Sequence, residues 1–225
     1  MRRNRDNPLP GRSRLRVAAA RLLLGGLWLP TASLAHSFDI AVIAPYTGAQ
    51  GQTGPNLWHG MRVATREFDG HPFETADGHL GGVDSNLIRI DSTQGAESVV
   101  AQLRPFADLQ NVVIAVLAPG LAGLREAWPD DLPSVVVLSD PGEARHWPDA
   151  FAPPLPSGEL GESFGASYRH TYDQPPDAIA RGGYVAARLI AAAIRPFDGH
   201  FDDPPALRES FAARLGEAER QQTAP

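Results

Sequence analysis

The sequence predicts an α/β protein, a Rossmann-like three-layer lobe in which a parallel sheet carries helices on both faces. Three observations carry that expectation. Short apolar runs alternate with stretches of helical periodicity, the pattern of successive βαβ units. The runs Asn111–Leu117 and Val135–Leu138 are apolar at nearly every position, as central strands covered on both sides must be. Between the first run and the first helical stretch lies a loop rich in Pro, Thr and Gly. Such a loop sets backbone N–H groups and a helix N-terminus at the carboxyl end of a strand, where open α/β sheets bind ligands.

Residues 1–35 have the three parts of an export signal. Arg2, Arg3, Arg5, Arg12, Arg14 and Arg16 precede the apolar stretch Leu22–Leu29, and Ser33 and Ala35 are the small residues before a cut at His36. The apolar stretch is too short to span a bilayer, so a cleaved chain in the periplasm is expected. Cysteine is absent, which rules out lipid attachment through an N-terminal Cys and any disulfide. Of the 20 basic and 26 acidic residues, 7 and 1 fall in residues 1–35, leaving a chain of net charge −12. That charge repels phosphate backbones and excludes nucleic acid as a partner. Residues 36–225 suit one domain with a core of its own.

Within it, strands are expected at Phe38–Ile43, Leu87–Asp91, Asn111–Leu117 and Ser134–Ser139. Helices are expected at Asn56–Phe68, Gly95–Leu109, Leu121–Trp128, Gly158–Tyr172, Asp177–Arg195 and Pro205–Glu219. Right-handed crossovers then give the strand order 2-1-3-4. In the fifth helix Tyr184, Ala187, Ile190, Ala191 and Ile194 share one face, which marks it as a core helix. Trp58 suits either packing against the sheet or stacking on a ligand. Trp128 and Trp147 flank Pro-rich turns as covers over the core edge.

Several of these segments carry a family likeness. Ala44-Pro45-Tyr46-Thr47-Gly48 and Gly60-Met61-Arg62-Val63-Ala64 resemble the first strand, "P-x-T-G" loop and "G-x-x-x-A" helix of the periplasmic solute-binding proteins of branched-chain amino-acid ABC transporters. Asp91-Ser92-Thr93-Gln94 and the helix after it are similar to that family's second unit. Phe164–Tyr172 and Gly183–Ile194 resemble its "F-x-x-x-Y-x-x-x-Y/F-G" and "G-Y-D-A-x-x-x-L-x-x-A-I" helices. The resemblance implies a lobe of the type I periplasmic binding protein fold. It also implies that first-lobe amides and a Ser or Thr hold a ligand carboxylate, and that the protein works with ABC-transporter membrane subunits.

The chain departs from the family where a second lobe would be inserted. Only Asp140–Ser157 stands there, with Pro141, Pro148, Pro153, Pro154 and Pro156, which read as an extended crossing. A single lobe is therefore expected, without hinge closure over a ligand. The matching loops carry over Tyr46, Thr47 and Gly48 after the first strand, Pro119, Gly120 and Leu121 after the third, and Ser139 and Asp140 after the fourth. The third-strand loop lacks the family's hydroxyl, and Asp140 would repel a carboxylate, so an uncharged, cationic or aromatic ligand or a protein surface fits as well.

Two functions are consistent with this reading. One is an exported module that binds a small solute. The other is a lobe kept as a protein-interaction or accessory subunit of a periplasmic oxidation or transport system, paired with a second copy (a homodimer) or with another protein. No cofactor is implied. His71, Glu74, Asp77 and His79 offer enough donors for a divalent metal, but a solvated loop before the second strand accounts for the same residues. A nucleophilic Ser would need a G-x-S-x-G elbow and a His partner; neither is found, so no enzyme is expected.

Overall fold

The computed structural model describes residues 37–67, 77–121 and 123–223. The export signal with its cut site, and residues 71–76 of the His-rich loop, lie outside them. β1 (Ser37–Ala44) is the hub of the sheet. It pairs in parallel with β3 (Val83–Asp91), Ile40 beside Leu87, and with β4 (Val113–Leu117), Ile40 beside Ile114. β5 (Ser134–Leu138) continues the parallel set beyond β4. The four long strands therefore stand in the expected order, and the whole sheet reads β2-β3-β1-β4-β5.

β2 (Gly78–Leu80) corrects the expectation of a four-stranded sheet. It is a short antiparallel edge strand, and β3 begins four residues earlier than the apolar run suggested. The cause is local: Gly81 and Gly82 both take positive φ (63° and 92°), as a two-residue hairpin turn requires. Val83, Ser85 and Leu87 then point inward while Asp84 and Asn86 do not, the alternation of a half-buried strand.

Successive residues of the central strands feed opposite faces, so the sheet has two cores. Phe38, Ile40, Val42, Ile114, Val116, Val135 and Val137 meet α1 (Thr53–Glu67), α5 (Ala178–Ile194) and residues of α4 (Gly158–Tyr172) and α6 (Pro204–Thr223). Ala41, Ile43, Val113, Ala115, Leu117, Val136 and Leu138 meet α2 (Ala96–Gln110) and α3 (Leu124–Ala127). α3 is shorter than expected. Trp128 is extended (ψ 121°) because Pro129 follows it, and the helix stops there. Trp128 and Trp147 are both buried edge to face at 5.3 Å, closing the border of the second core.

The closest helix crossing is α1 on α5. The Cα of Gly60 lies against the Ala180 carbonyl and that of Gly183 against the Leu57 carbonyl; a Cβ at either would overlap those oxygens. The expected core face of α5, Tyr184, Ala187, Ile190, Ala191 and Ile194, is buried. Asp177 caps the helix, its carboxylate accepting from the Ala180 N–H at 2.8 Å.

Residues 140–157 hold a 3-10 turn over Pro141–His146 and then run extended. Phe151 makes one parallel bridge to β5: it accepts from Leu138 N and donates to the Val136 carbonyl, both at 2.8 Å. Prolines at 148, 153, 154 and 156 keep the rest of the segment out of regular structure.

Candidate functional site

The register that sets Ile43 beside Leu117 and Leu117 beside Leu138 brings three strand ends together. Their loops form the carboxyl edge where all the carried-over residues sit. In the first loop, Asp91 at the end of β3 gathers the donors. Its carboxylate accepts from Tyr46 N at 3.1 Å, from the Thr47 hydroxyl at 2.8 Å and from Thr93 N at 3.1 Å, and the Thr47 and Thr93 hydroxyls are themselves 2.8 Å apart. Burial pushes the Asp91 pKa up, but these hydrogen bonds outweigh it and hold the carboxyl below its ordinary range. A lowered folded pKa means the contribution is present above the ordinary carboxylate range and is lost as pH falls through the folded value. Asp91→Asn is thus expected to flatten part of the fall in thermal midpoint on acidification; a profile parallel to that of the parent protein would refute the assignment.

Tyr46 does not project from this edge. Its ring lies against Gly54, its hydroxyl donates to the Val42 carbonyl at 3.3 Å, and burial raises the pKa of the phenol, opposed by Arg89 and aided by Asp91. The half-buried ring packs on the core, so Tyr46, carried over from the matching loop as a ligand-binding residue, has a structural role here. Tyr46→Ala should then cost about 2–4 kcal/mol of stability, read by chemical denaturation, where a loop residue would cost almost nothing. Gly48 is exposed with φ 72° and opens a 3-10 turn.

In the third-strand loop, Pro119 and Leu121 are half-buried and Gly120 is exposed at φ 86°. The Gly120 N–H donates to the carboxylate of Glu143, 23 residues on. Ser139 is buried and donates its hydroxyl to the Leu117 carbonyl at 2.8 Å. That bond makes Ser139 a staple between β4 and β5. Asp140 caps the next turn, accepting from Gly142 N at 2.8 Å.

The edge therefore brings together what the sequence placed on it, with two partners that the expected site did not include: Asp91 and Glu143. Asp91 was readable as part of a turn after the second strand, whereas nothing local joins Glu143 to Gly120. Chemically, three carboxylates accept from four backbone amides and the Thr47 hydroxyl at this edge, which gives it an acidic character. Among the described residues no group of three or more metal-ligating side chains occurs. His79 faces Asp84, with Nε2 2.7 Å from its carboxylate. Open clefts of about 530, 510 and 540 Å³ lie elsewhere, lined by Trp128, Trp147 and Arg208, by Pro154, Leu160, Leu189 and Arg214, and by Pro156, Glu162, Arg169 and Arg181. None of these includes a residue of the three loops.

Comparison with known proteins supplies a fold. No family model and no curated protein matches the chain. Among solved structures it is similar to a solute-binding protein of an ABC transporter from R. palustris in complex with benzoate, at 12% identity and a TM-score of 0.54, over 79% of this chain and 85% of that one. It is also similar to an ABC-transporter substrate-binding protein from Sphaerobacter thermophilus, at 14% identity and a TM-score of 0.51, over 79% and 86%. The fold is that of the type I periplasmic binding proteins, a mostly parallel sheet with helices on both sides. The described helices include none long and apolar enough to cross a membrane.

Proposed function

We propose that the chain is an exported, single-lobed, non-enzymatic solute-binding module whose ligand meets the carboxyl edge of the sheet. The observation that carries the reading is the acidic character of that edge. Asp91, Asp140 and Glu143 already occupy the Tyr46, Thr93, Gly120 and Gly142 amides. A carboxylate ligand would meet occupied donors and like charge, whereas a cationic or neutral polar solute would find acceptors. The benzoate seen in the R. palustris protein is thus a poor guide to the solute of this chain.

A thermal-shift screen tests this directly, because a ligand that binds only the folded state raises the midpoint by mass action, by about 2.7 kcal/mol of added stability at a hundredfold excess over its dissociation constant. Amines and polyols are expected to raise it, and amino acids and aromatic acids to leave it unchanged. A rise with carboxylates alone would overturn the charge argument. No rise with any solute would favour the second reading, an accessory subunit, which the bonds already made by the Tyr46, Thr93, Gly120 and Gly142 amides also suit.

A further inference from the structure

Beside the edge, where Arg89 lies 5.9 Å from the centre of the Tyr46 ring, one patch contrasts with the acidic surface. Trp58 on α1 is 8% exposed, and the guanidinium carbons of Arg62 and Arg89 lie over its ring at 4.7 and 4.3 Å. His59 stacks on Tyr172 at 4.1 Å, and Arg66 follows Arg62 one turn later on the same helix face. Three buried polar atoms in this patch, Trp58 Nε1, His59 Nδ1 and Arg62 Nε, have no hydrogen-bond partner. Orphaned buried polar atoms are scarce in folded proteins, and three neighbouring ones ask for a cause. Arg62, Arg66 and Arg89 make no ion pair with any carboxylate among the described residues. Three arginines without an ion pair among the described residues are thus gathered in one place on a chain whose net charge is −12 without residues 1–35.

We propose that this arginine–tryptophan patch, where α1 meets the carboxyl end of β3, is a docking surface for an acidic segment of a partner protein. The guanidiniums resting on the indole are held there by cation–π attraction in the absence of a carboxylate, which would bind them more strongly and in bidentate geometry. The charges are also spread out: Arg62 and Arg66 are separated by a helical turn, about 6 Å along the axis, and Arg89 belongs to a different element. One small carboxylate cannot meet all three, whereas successive acidic side chains on a peptide can. His59 stays neutral at physiological pH, since burial and then the charges of Arg89 and Arg62 lower its pKa, so its ring serves as a stacking and hydrogen-bonding group.

The test is fluorescence anisotropy of labelled hexaglutamate with the full chain, against hexaglutamine as the neutral control. Hexaglutamate is expected to bind, and to bind more weakly as salt rises from about 50 to about 300 mM. Arg66→Glu, an exposed change that leaves the Trp58 stack intact, and Arg62→Glu/Arg89→Glu should each weaken binding about tenfold or more. Arg104→Ala, on α2 across the sheet, should leave it within about twofold. Circular dichroism confirms that each variant is folded, and Arg66→Glu alone decides if the double variant is not. Equal binding of the two peptides, or equal affinity in Arg66→Glu and Arg104→Ala, would overturn the proposal. Displacement of hexaglutamate by millimolar acetate would also overturn it, pointing to a single-carboxylate site instead.

Discussion

Gly60→Val is expected to lower stability by about 3 kcal/mol or more, and the thermal midpoint by about 6–12 °C for a domain of this size. The cause is the α1–α5 crossing. At Gly60 the helix backbone touches the Ala180 carbonyl, and the reciprocal contact is made by Gly183 on the Leu57 carbonyl. Any side chain at either place forces the helices apart, and those helices carry Leu57, Met61, Tyr184 and Ile190 into the first core. Gly183→Val should have a similar effect. Because both changes relieve themselves by the same separation, the double variant should cost less than the sum of the two. Midpoints unchanged by circular dichroism would show that the crossing is looser than the backbone contacts require.

Tyr184→Ala is expected to cost about 3–5 kcal/mol, the range for emptying a large aromatic site in a core. Its ring stacks on Phe164 at 4.3 Å, and its hydroxyl donates to the Glu67 carboxylate at 2.9 Å. Tyr184→Phe keeps the ring and should cost about 1 kcal/mol. Burial, and then the hydrogen bond to Glu67, push the Tyr184 pKa up to about 12, with Arg188 opposing. A raised folded pKa implies a contribution fully present below the ordinary tyrosine value and lost as pH rises from there towards 12. The alkaline fall in midpoint should therefore be shallower in Tyr184→Phe. An identical alkaline limb in the two proteins would show that another group titrates there.

The layers of the fold were legible because they depend on short-range periodicity. Val113–Leu117 and Val135–Leu138 could only be buried strands, and the spacing of Tyr184, Ala187, Ile190 and Ile194 fixed the inward face of α5. The β2–β3 hairpin was also written in the chain, in Gly81-Gly82, but the polar residues Asp84 and Asn86 hid the start of β3. The candidate site was legible in position and much less so in chemistry. Sequence placed Tyr46, Thr47, Gly120, Ser139 and Asp140 at strand ends, yet could not show that the Tyr46 ring folds back on Gly54 or that Ser139 is tied to Leu117. Contacts such as Glu143 with Gly120 depend on how far a crossing segment bends, and no local pattern encodes that. Trp58 illustrates the same limit: its place on the helix suits packing and ligand stacking alike, and only the tertiary structure buries it and brings Arg89 onto its ring.

The bridge between Phe151 and β5 bears on solubility. β5 is a valine-rich strand at one end of the sheet, and such a border invites strand addition by a neighbouring molecule and, from there, fibril growth. One residue of the crossing, bonded to both Val136 and Leu138, caps that border. A change that pulled Phe151 away from Val136 and Leu138 would therefore uncover the strand and promote self-association through the sheets, even where the packing of the two cores is untouched.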